Sequence, residues 1–301
     1  MGLCFFCYNV VMILEFLIGG FVFLFGVCVG SFLNCYIYRR LPASAEGFGE
    51  ARAEKSLKGR SFCPHCKHTL GWQDLFPVFS FLVLGGECRY CKAKISWQYP
   101  IVEIVTGVLF LLIFNFQFPI FSEFSILQFA NLGFLFYVAS ALVVIFIYDL
   151  KHFIIPDKVL FPAIVITALY RLFETLSIGS FIGNCKLEIV NLNQLGSYVL
   201  AVIIAAGFFL AIFLISKGKW MGFGDVKLAV LMGLLLGFSN VLVALFLAFF
   251  FGAIIGVILM LLDRRSLKSE IPFGPFLIIG TFFAMLWGEQ IIQWYLNFFK
   301  I

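Results

Sequence analysis

Apolar residues run in long stretches near 10–38, 100–117, 130–148, 159–177, 195–215, 238–262 and 273–297, with a shorter one at 226–237. A helix needs about 20 apolar residues to cross a bilayer, with about 17 as the lower limit. The short stretch must draw on the Lys217–Gly224 segment or dip only partway in. The pattern predicts an all-α polytopic membrane protein of about eight transmembrane helices. Met1 to Leu14 has no basic residue before its apolar run and no small-residue cleavage site, so it reads as the lead-in to a retained span and not as a signal peptide.

Composition agrees. Of 301 residues 62% are hydrophobic and 12% charged, and Phe alone contributes 41. A globular chain is about half apolar and a quarter charged, so a soluble protein is excluded. The net charge of +5 does not point to nucleic acid. A basic excess in such a chain marks cytoplasmic loops. If 39–99 is cytoplasmic, eight spans put 150–158, 216–227 and 263–272 on the same side, and these four regions hold 18 of the 21 Lys and Arg. Both termini then lie outside the cytoplasm. The predicted division is a first span (1–38), a small soluble cytoplasmic domain (39–99) and a membrane core (100–301). Ala43–Gly59, charged and poor in large apolar residues, reads as a flexible approach.

The cytoplasmic domain carries Cys63-Pro-His-Cys66 and Cys88-Arg-Tyr-Cys91, two C-x-x-C pairs separated by 21 residues. Each pair aims two sulfurs at one point, and two pairs build the tetrahedral thiolate site that Zn²⁺ favours. Four cysteines leave no open position, so the expected role is structural. Cytoplasmic thiols stay reduced, which favours metal over disulfide. His65 and His68 are read as neighbours of the site. Cys28 and Cys35 are expected as small core residues of the first span. Cys4 and Cys7 form a lone outer pair that could close a disulfide.

Charges inside membrane segments are costly and default to functional hypotheses. Asp149 ends the third span, and Asp225 opens the sixth within Gly222-Phe223-Gly224-Asp225-Val226-Lys227. The Lys and Arg pattern puts both at the cytoplasmic edge. Two carboxyls in a low-dielectric site do not both ionise easily, so one keeps its proton while the other acts as a base. That is the chemistry of an aspartic peptidase. Gly222 and Gly224 would let a substrate backbone approach. The bland alternative makes Asp149 a solvated helix end and Asp225 an N-cap. Asp157, after Pro156, reads as the cap of the fourth span. Glu15, Glu103 and Glu174 lie in or near spans, with Glu103 placed toward the bundle interior. Gly26 and Gly30 read as a packing notch, and Ile271-Pro-Phe-Gly-Pro275 as a rigid entry to the last span.

In order along the chain stand Gly30-Ser-Phe-Leu-Asn34, Tyr38-Arg-Arg-Leu-Pro42, the two cysteine pairs flanking Leu70-x-Trp72-x-Asp74-Leu75-x-Pro77, Tyr99-Pro100-x-Val102-Glu103, Asp149 with Pro156-Asp157, Gly222-x-Gly224-Asp225-x-Lys227, and Pro272-Phe-Gly-Pro275. With these motifs the chain resembles the prepilin leader peptidases, the bifunctional enzymes of type IV pilus and type II secretion systems. The resemblance implies a bacterial inner-membrane protein with Asp149 and Asp225 as catalytic pair, and Gly222, Gly224, Lys227 and Glu103 as substrate or active-site support. Such enzymes cut the basic leader of prepilins or pseudopilins after a glycine, on the cytoplasmic side. They then methylate the new amine with S-adenosylmethionine. Gln98 stands where the family usually has Arg, and Gly86-Glu87 where a basic residue is common. Presenilin-like proteases share the GxGD motif but lack a four-cysteine domain.

A proton-coupled transporter with a regulatory zinc domain is the rival reading, since intramembrane carboxylates also relay protons. Transporter sites lie near the midplane, whereas both aspartates are placed at one edge.

Overall fold

A computed structural model describes residues 2–40, 59–117, 126–177, 192–262 and 272–298. Among them the chain is helical, with α1 at Gly2–Arg40, α2 at Phe79–Val83, α3 at Gln98–Gln117, α4 at Ile126–His152, α5 at Asp157–Ser177, α6 at Leu192–Ser216, α7 at Phe223–Leu261 and α8 at Gly274–Phe298. Extended pairing is confined to two isolated bridges. Six of these helices (α1, α3, α4, α6, α7, α8) are long and apolar enough to cross a membrane. The membrane protein read from the sequence is therefore present, but six helices meet the criterion where eight spans were expected. α5 is not among the six; it carries Asp157, Lys158, Arg171 and Glu174. The expected sixth and seventh spans are joined in α7. Residues 41–58, the side chains of Cys4 and Cys7, and Cys185 lie outside the described residues.

The chain divides into two compact units, Met1–Val143 and Val144–Ile301. In the first, α1 and α3 pack through glycine. A Cβ on Gly26 would lie 2.8 Å from Gly107 Cα, and one on Gly30 2.8 Å from Glu103 Cα. Backbones that close gain dispersion contact that lipid cannot supply, so the notch read at Gly26 and Gly30 is a packing notch. Phe110 stacks on Phe136 with centroids 4.0 Å apart. Cys28, expected in the core, is instead exposed; it lies on a face of α1 away from α3.

In the second unit, α7 is two helices that run in opposite directions. From its start, Phe223 meets Phe213 of α6 (5.4 Å), a Cβ on Gly233 would touch Val202 N at 2.7 Å, and Gly237 lies beside Ser197. Sequence numbers on α6 fall as those on α7 rise. Beyond Gly237 the order inverts, and Phe249 comes back to Phe208 and Phe209. α8 then runs antiparallel to this second half, with Gly288 beside Asn240, Gly280 beside Ala244 and Gly252 beside Phe276. The chain reverses at Gly237, whose φ of 73° and ψ of 178° only glycine adopts readily.

The first half, 14 residues from Phe223 to Leu236, spans about 21 Å, short of the roughly 30 Å hydrocarbon core. On this length alone it would not cross. A helix break inside a bilayer exposes backbone groups where water is scarce. Both sides of this one are capped from other helices. Arg171 Nη2 of α5 donates to Leu235 O (2.7 Å), and Phe238 N–H donates to Ser197 Oγ of α6 (3.2 Å). Arg171 also pairs with Glu174 at 2.6 Å and lies over the Tyr198 ring.

Gly237→Ala should lower stability by about 1–3 kcal/mol, the cost of a side chain in this backbone region. Gly256→Ala, on the same helix with nothing near its added Cβ, should be neutral or stabilising. Thermal unfolding of the two purified variants checks the difference.

Candidate functional site

Two groups of chemically active side chains stand out, one in each unit. The first is the four-cysteine cluster. Its two knuckles repeat each other residue for residue. Cys63 N–H donates to His68 O and Lys67 N–H to Cys63 O; Cys88 N–H donates to Ala93 O and Lys92 N–H to Cys88 O. Lys67 and Lys92 both take positive φ, 60° and 58°, and the bridges Phe62–Thr69 and Glu87–Lys94 close the two loops at the same offset. The four sulfurs lie within 4.8 Å of one another, with Cys63 Sγ 3.8 Å from Cys91 Sγ. Thiolates bound tetrahedrally at 2.3 Å stand about 3.8 Å apart, so the cluster could hold a metal ion. Backbone N–H groups of Cys91 and Tyr90 donate to Cys88 and lower its thiol, whereas at Cys91 the Ala93 N–H is outweighed by burial and the neighbouring sulfurs, which push the thiol up, so the four sulfurs share their protons as one group.

His68 stacks on Tyr90 with centroids 3.7 Å apart. Asp74 ties the preceding turn to the second knuckle, accepting from Arg89 Nε (2.7 Å), Gly71 N (3.1 Å) and Tyr90 Oη (3.4 Å). Burial pushes its carboxyl up, but Arg89 and the Gly71 N–H outweigh this and hold it below the usual carboxylate range.

The second group is the aspartates. Asp149, at the end of α4, and Asp225, in the first turn of α7, are both buried and lie within Coulombic range of each other. Gly222 is the N-cap of α7, so Asp225 is not the cap. Among the described residues neither carboxyl is ion-paired with a Lys or Arg. The N–H of Gly274, at the start of α8, donates to Asp149, and a Cβ on Gly274 would collide with Asp149 Oδ2. Gly224 is pressed against Ile155, where a Cβ would lie 3.1 Å from Ile155 Cβ, while Gly222 is open. Of the two glycines, Gly222 leaves room for a backbone and Gly224 serves packing.

Asp157 opens α5, and its carboxylate is held by Lys227 Nζ at 2.8 and 2.9 Å. The ammonium also sits over the rings of Phe161 and Phe223. Lys227 thus fastens the start of α5 to the start of α7 beside Asp225. Glu103 belongs to the other unit. It is buried in α3 and accepts Val78 N–H at 2.7 Å. Gln98 donates to Asn34 Oδ1 (3.4 Å). Gly274 and Ile155 were not singled out as site residues in the sequence. The rigid Pro272–Pro275 entry was the available signal, since a glycine at a helix start leaves an N–H free to meet a carboxylate.

Two buried, mutually interacting carboxyls at one end of a helical unit are the arrangement that an aspartic peptidase dyad requires. Residues 24–116 match the Bacterial Peptidase A24 N-terminal domain, and residues 135–257 the Type IV leader peptidase family. The chain is 31% identical to the prepilin leader peptidase/N-methyltransferase of Aeromonas hydrophila, over 95% of this chain and 96% of that protein. It is 34% identical to the protein of that name from Legionella pneumophila (91% and 93%) and 30% identical to that from Pseudomonas aeruginosa (91% and 92%). The chain belongs to the type IV leader peptidase family and is a membrane peptidase. No solved structure matches it.

Purified protein should carry one metal ion per chain, and Cys63→Ser or Cys88→Ser, which remove the two buried sulfurs, should release it. Metal analysis with counting of alkylated thiols under native conditions reads both. Asp74→Asn should loosen the module at pH 7. The stabilisation from Asp74 is present above about pH 4, the ordinary carboxylate value, and is lost as pH falls through its lowered folded value. The variant should therefore show less change in thiol protection than wild type on acidification.

Proposed function

We propose that this chain cuts the leader from type IV prepilins or pseudopilins at the cytoplasmic edge of the bacterial inner membrane, with Asp149 and Asp225 as the catalytic pair. The observation that carries the reading is the burial of these two carboxyls beside each other with no described cation neutralising either. In such a dyad one carboxyl is ionised and the other holds a proton. The ionised one takes a proton from water as the water oxygen attacks the scissile carbonyl carbon. The protonated one gives its proton to the carbonyl oxygen. The tetrahedral diol collapses, the C–N bond breaks, and the amine leaves with a proton from the dyad. The pair titrates as a unit, so neither residue is assigned acid or base.

Gly274 N–H orients Asp149, the Lys227–Asp157 clamp fixes the start of α7, and open Gly222 admits an extended peptide. Sidedness rests on the Lys and Arg distribution, with 18 of 21 in the four regions taken as cytoplasmic. The metal is Zn²⁺, which suits four thiolates and is structural where no position is open.

The second activity is N-methylation of the new amine, with S-adenosylmethionine as methyl donor. Its support is the name shared by relatives that match more than nine-tenths of this chain. The 39–99 domain with Glu103 is its proposed place, and 100–301 that of the peptidase, because the dyad activates water and offers nothing to a methyl donor.

Asp149→Asn and Asp225→Asn should each reduce cleavage at least about a thousandfold, because neither acid works alone. Asp157→Asn should cost about tenfold or less, because it loosens a surface ion pair. Mass spectrometry of a prepilin incubated with each variant gives the rates, and substantial cleavage by either of the first two would overturn the dyad. Asp225→Asn should still add about 14 Da, one methylene from the methyl donor, to an already trimmed pilin. A wild-type enzyme that cuts cleanly and never adds this mass is a peptidase alone.

A further inference from the structure

We propose that residues 72–84 of the four-cysteine domain, expected in the sequence to be soluble, are sunk in the bilayer interface with lipid as their partner. α3 has 20 residues and so is about 30 Å long, which equals the hydrocarbon thickness of about 30 Å. Gln98–Gln117 is thus just long enough to span. Glu103 is five residues past Gln98, about 7–8 Å along the axis. Val78 N–H donates to the Glu103 carboxylate at 2.7 Å. The Pro77-Val78-Phe79 turn therefore sits as deep as the second turn of a spanning helix.

The chemistry of the segment suits that depth. Leu75 through Gly86 contains no charged residue. Trp72 (73% exposed), Phe76 (57%), Phe79 (61%), Leu82 (67%) and Val83 (65%) are large, apolar and unburied by the protein. At that depth lipid removes them from water. Only Phe81 turns inward, against Trp97 with centroids 4.9 Å apart.

The backbone suits it too. Lipid cannot satisfy N–H groups. Phe79, Ser80, Leu82, Leu84, Gly85, Gly86 and Glu87 all donate to carbonyls within 76–84, and Val78 donates to Glu103. Val78 takes φ 58° and ψ −50° to make its turn, a strained state for a β-branched residue. The turn is thus held by the buried carboxylate. Exposed Arg89, Lys92 and Lys94 lie on the adjoining knuckle, where phospholipid headgroups would meet them. The combination of aromatic and aliphatic anchors with flanking cations is that of an interfacial segment.

The test uses the full-length protein in lipid nanodiscs. The five tryptophans are replaced by Phe, and one reporter is placed by Leu82→Trp. A second version keeps native Trp72 and replaces the other four, leaving the apolar segment unaltered. Retained thiol protection of the four cysteines shows that each variant is folded. Most of the emission in both should be lost to lipids carrying a nitroxide high on the acyl chain, and little to aqueous acrylamide. Strong quenching by acrylamide with none from the lipid would put the segment in water and overturn the proposal. Protection from both quenchers would overturn it equally, showing a face covered by protein.

Discussion

Inside a bilayer no water bonds a free backbone group, and at three irregular points among the described residues a side chain from a distant element answers the need. Where α7 breaks at Gly237, Arg171 takes the Leu235 carbonyl and Ser197 takes the Phe238 N–H. Where the chain turns at Val78, Glu103 takes its N–H. Where α8 begins, Asp149 takes the N–H of Gly274. An unsatisfied group in hydrocarbon costs several kcal/mol, so these few polar contacts set where helices can stop and turn. The placing of the chemistry follows from them.

The aspartate end of the second unit shows this most directly. α4 ends there, α5, α7 and α8 begin there, and the half-length first arm of α7 returns the chain after about 21 Å. That short arm holds Asp225 beside Asp149 while the second arm packs on α6 and α8. Glycine makes the convergence possible, because Gly224 and Gly274 each occupy space that a Cβ would claim from Ile155 or Asp149. The Asp157–Lys227 pair gives a third attachment outside the dyad. A carboxylate that faces a lysine is neutralised, which is why Asp157 is a clamp; on the proposed function the two buried aspartates, which face no described lysine, carry the proton transfer.

The four-cysteine domain follows a different logic. It has little buried apolar surface of its own, and small domains of that kind depend on metal or on a partner surface. Here two identical knuckles converge their thiols, and the linker between them carries the apolar residues that approach α3. Asp74 joins the two parts through Gly71 and Arg89.

Much of this was legible along the chain, because the governing properties are local. Hydropathy over about 20 residues marks a span wherever it packs, two C-x-x-C pairs predispose to a shared metal site at any relative position, and a carboxyl among apolar residues is conspicuous alone. The split of 226–237 from 238–262 was likewise visible, as the place where α7 reverses. What was not legible depends on which helices meet. Whether Asp149 and Asp225 share one end of the bundle, whether Glu103 faces a substrate or holds Val78, and whether Cys28 points inward or out are decided by contacts between residues far apart in sequence. Arg171 and Leu235 are 64 residues apart, Lys227 and Asp157 70. Apolar runs that are hydrophobic all round carry no face preference, so only the close approach of glycines and the few buried polar pairs select the arrangement, and these act in three dimensions.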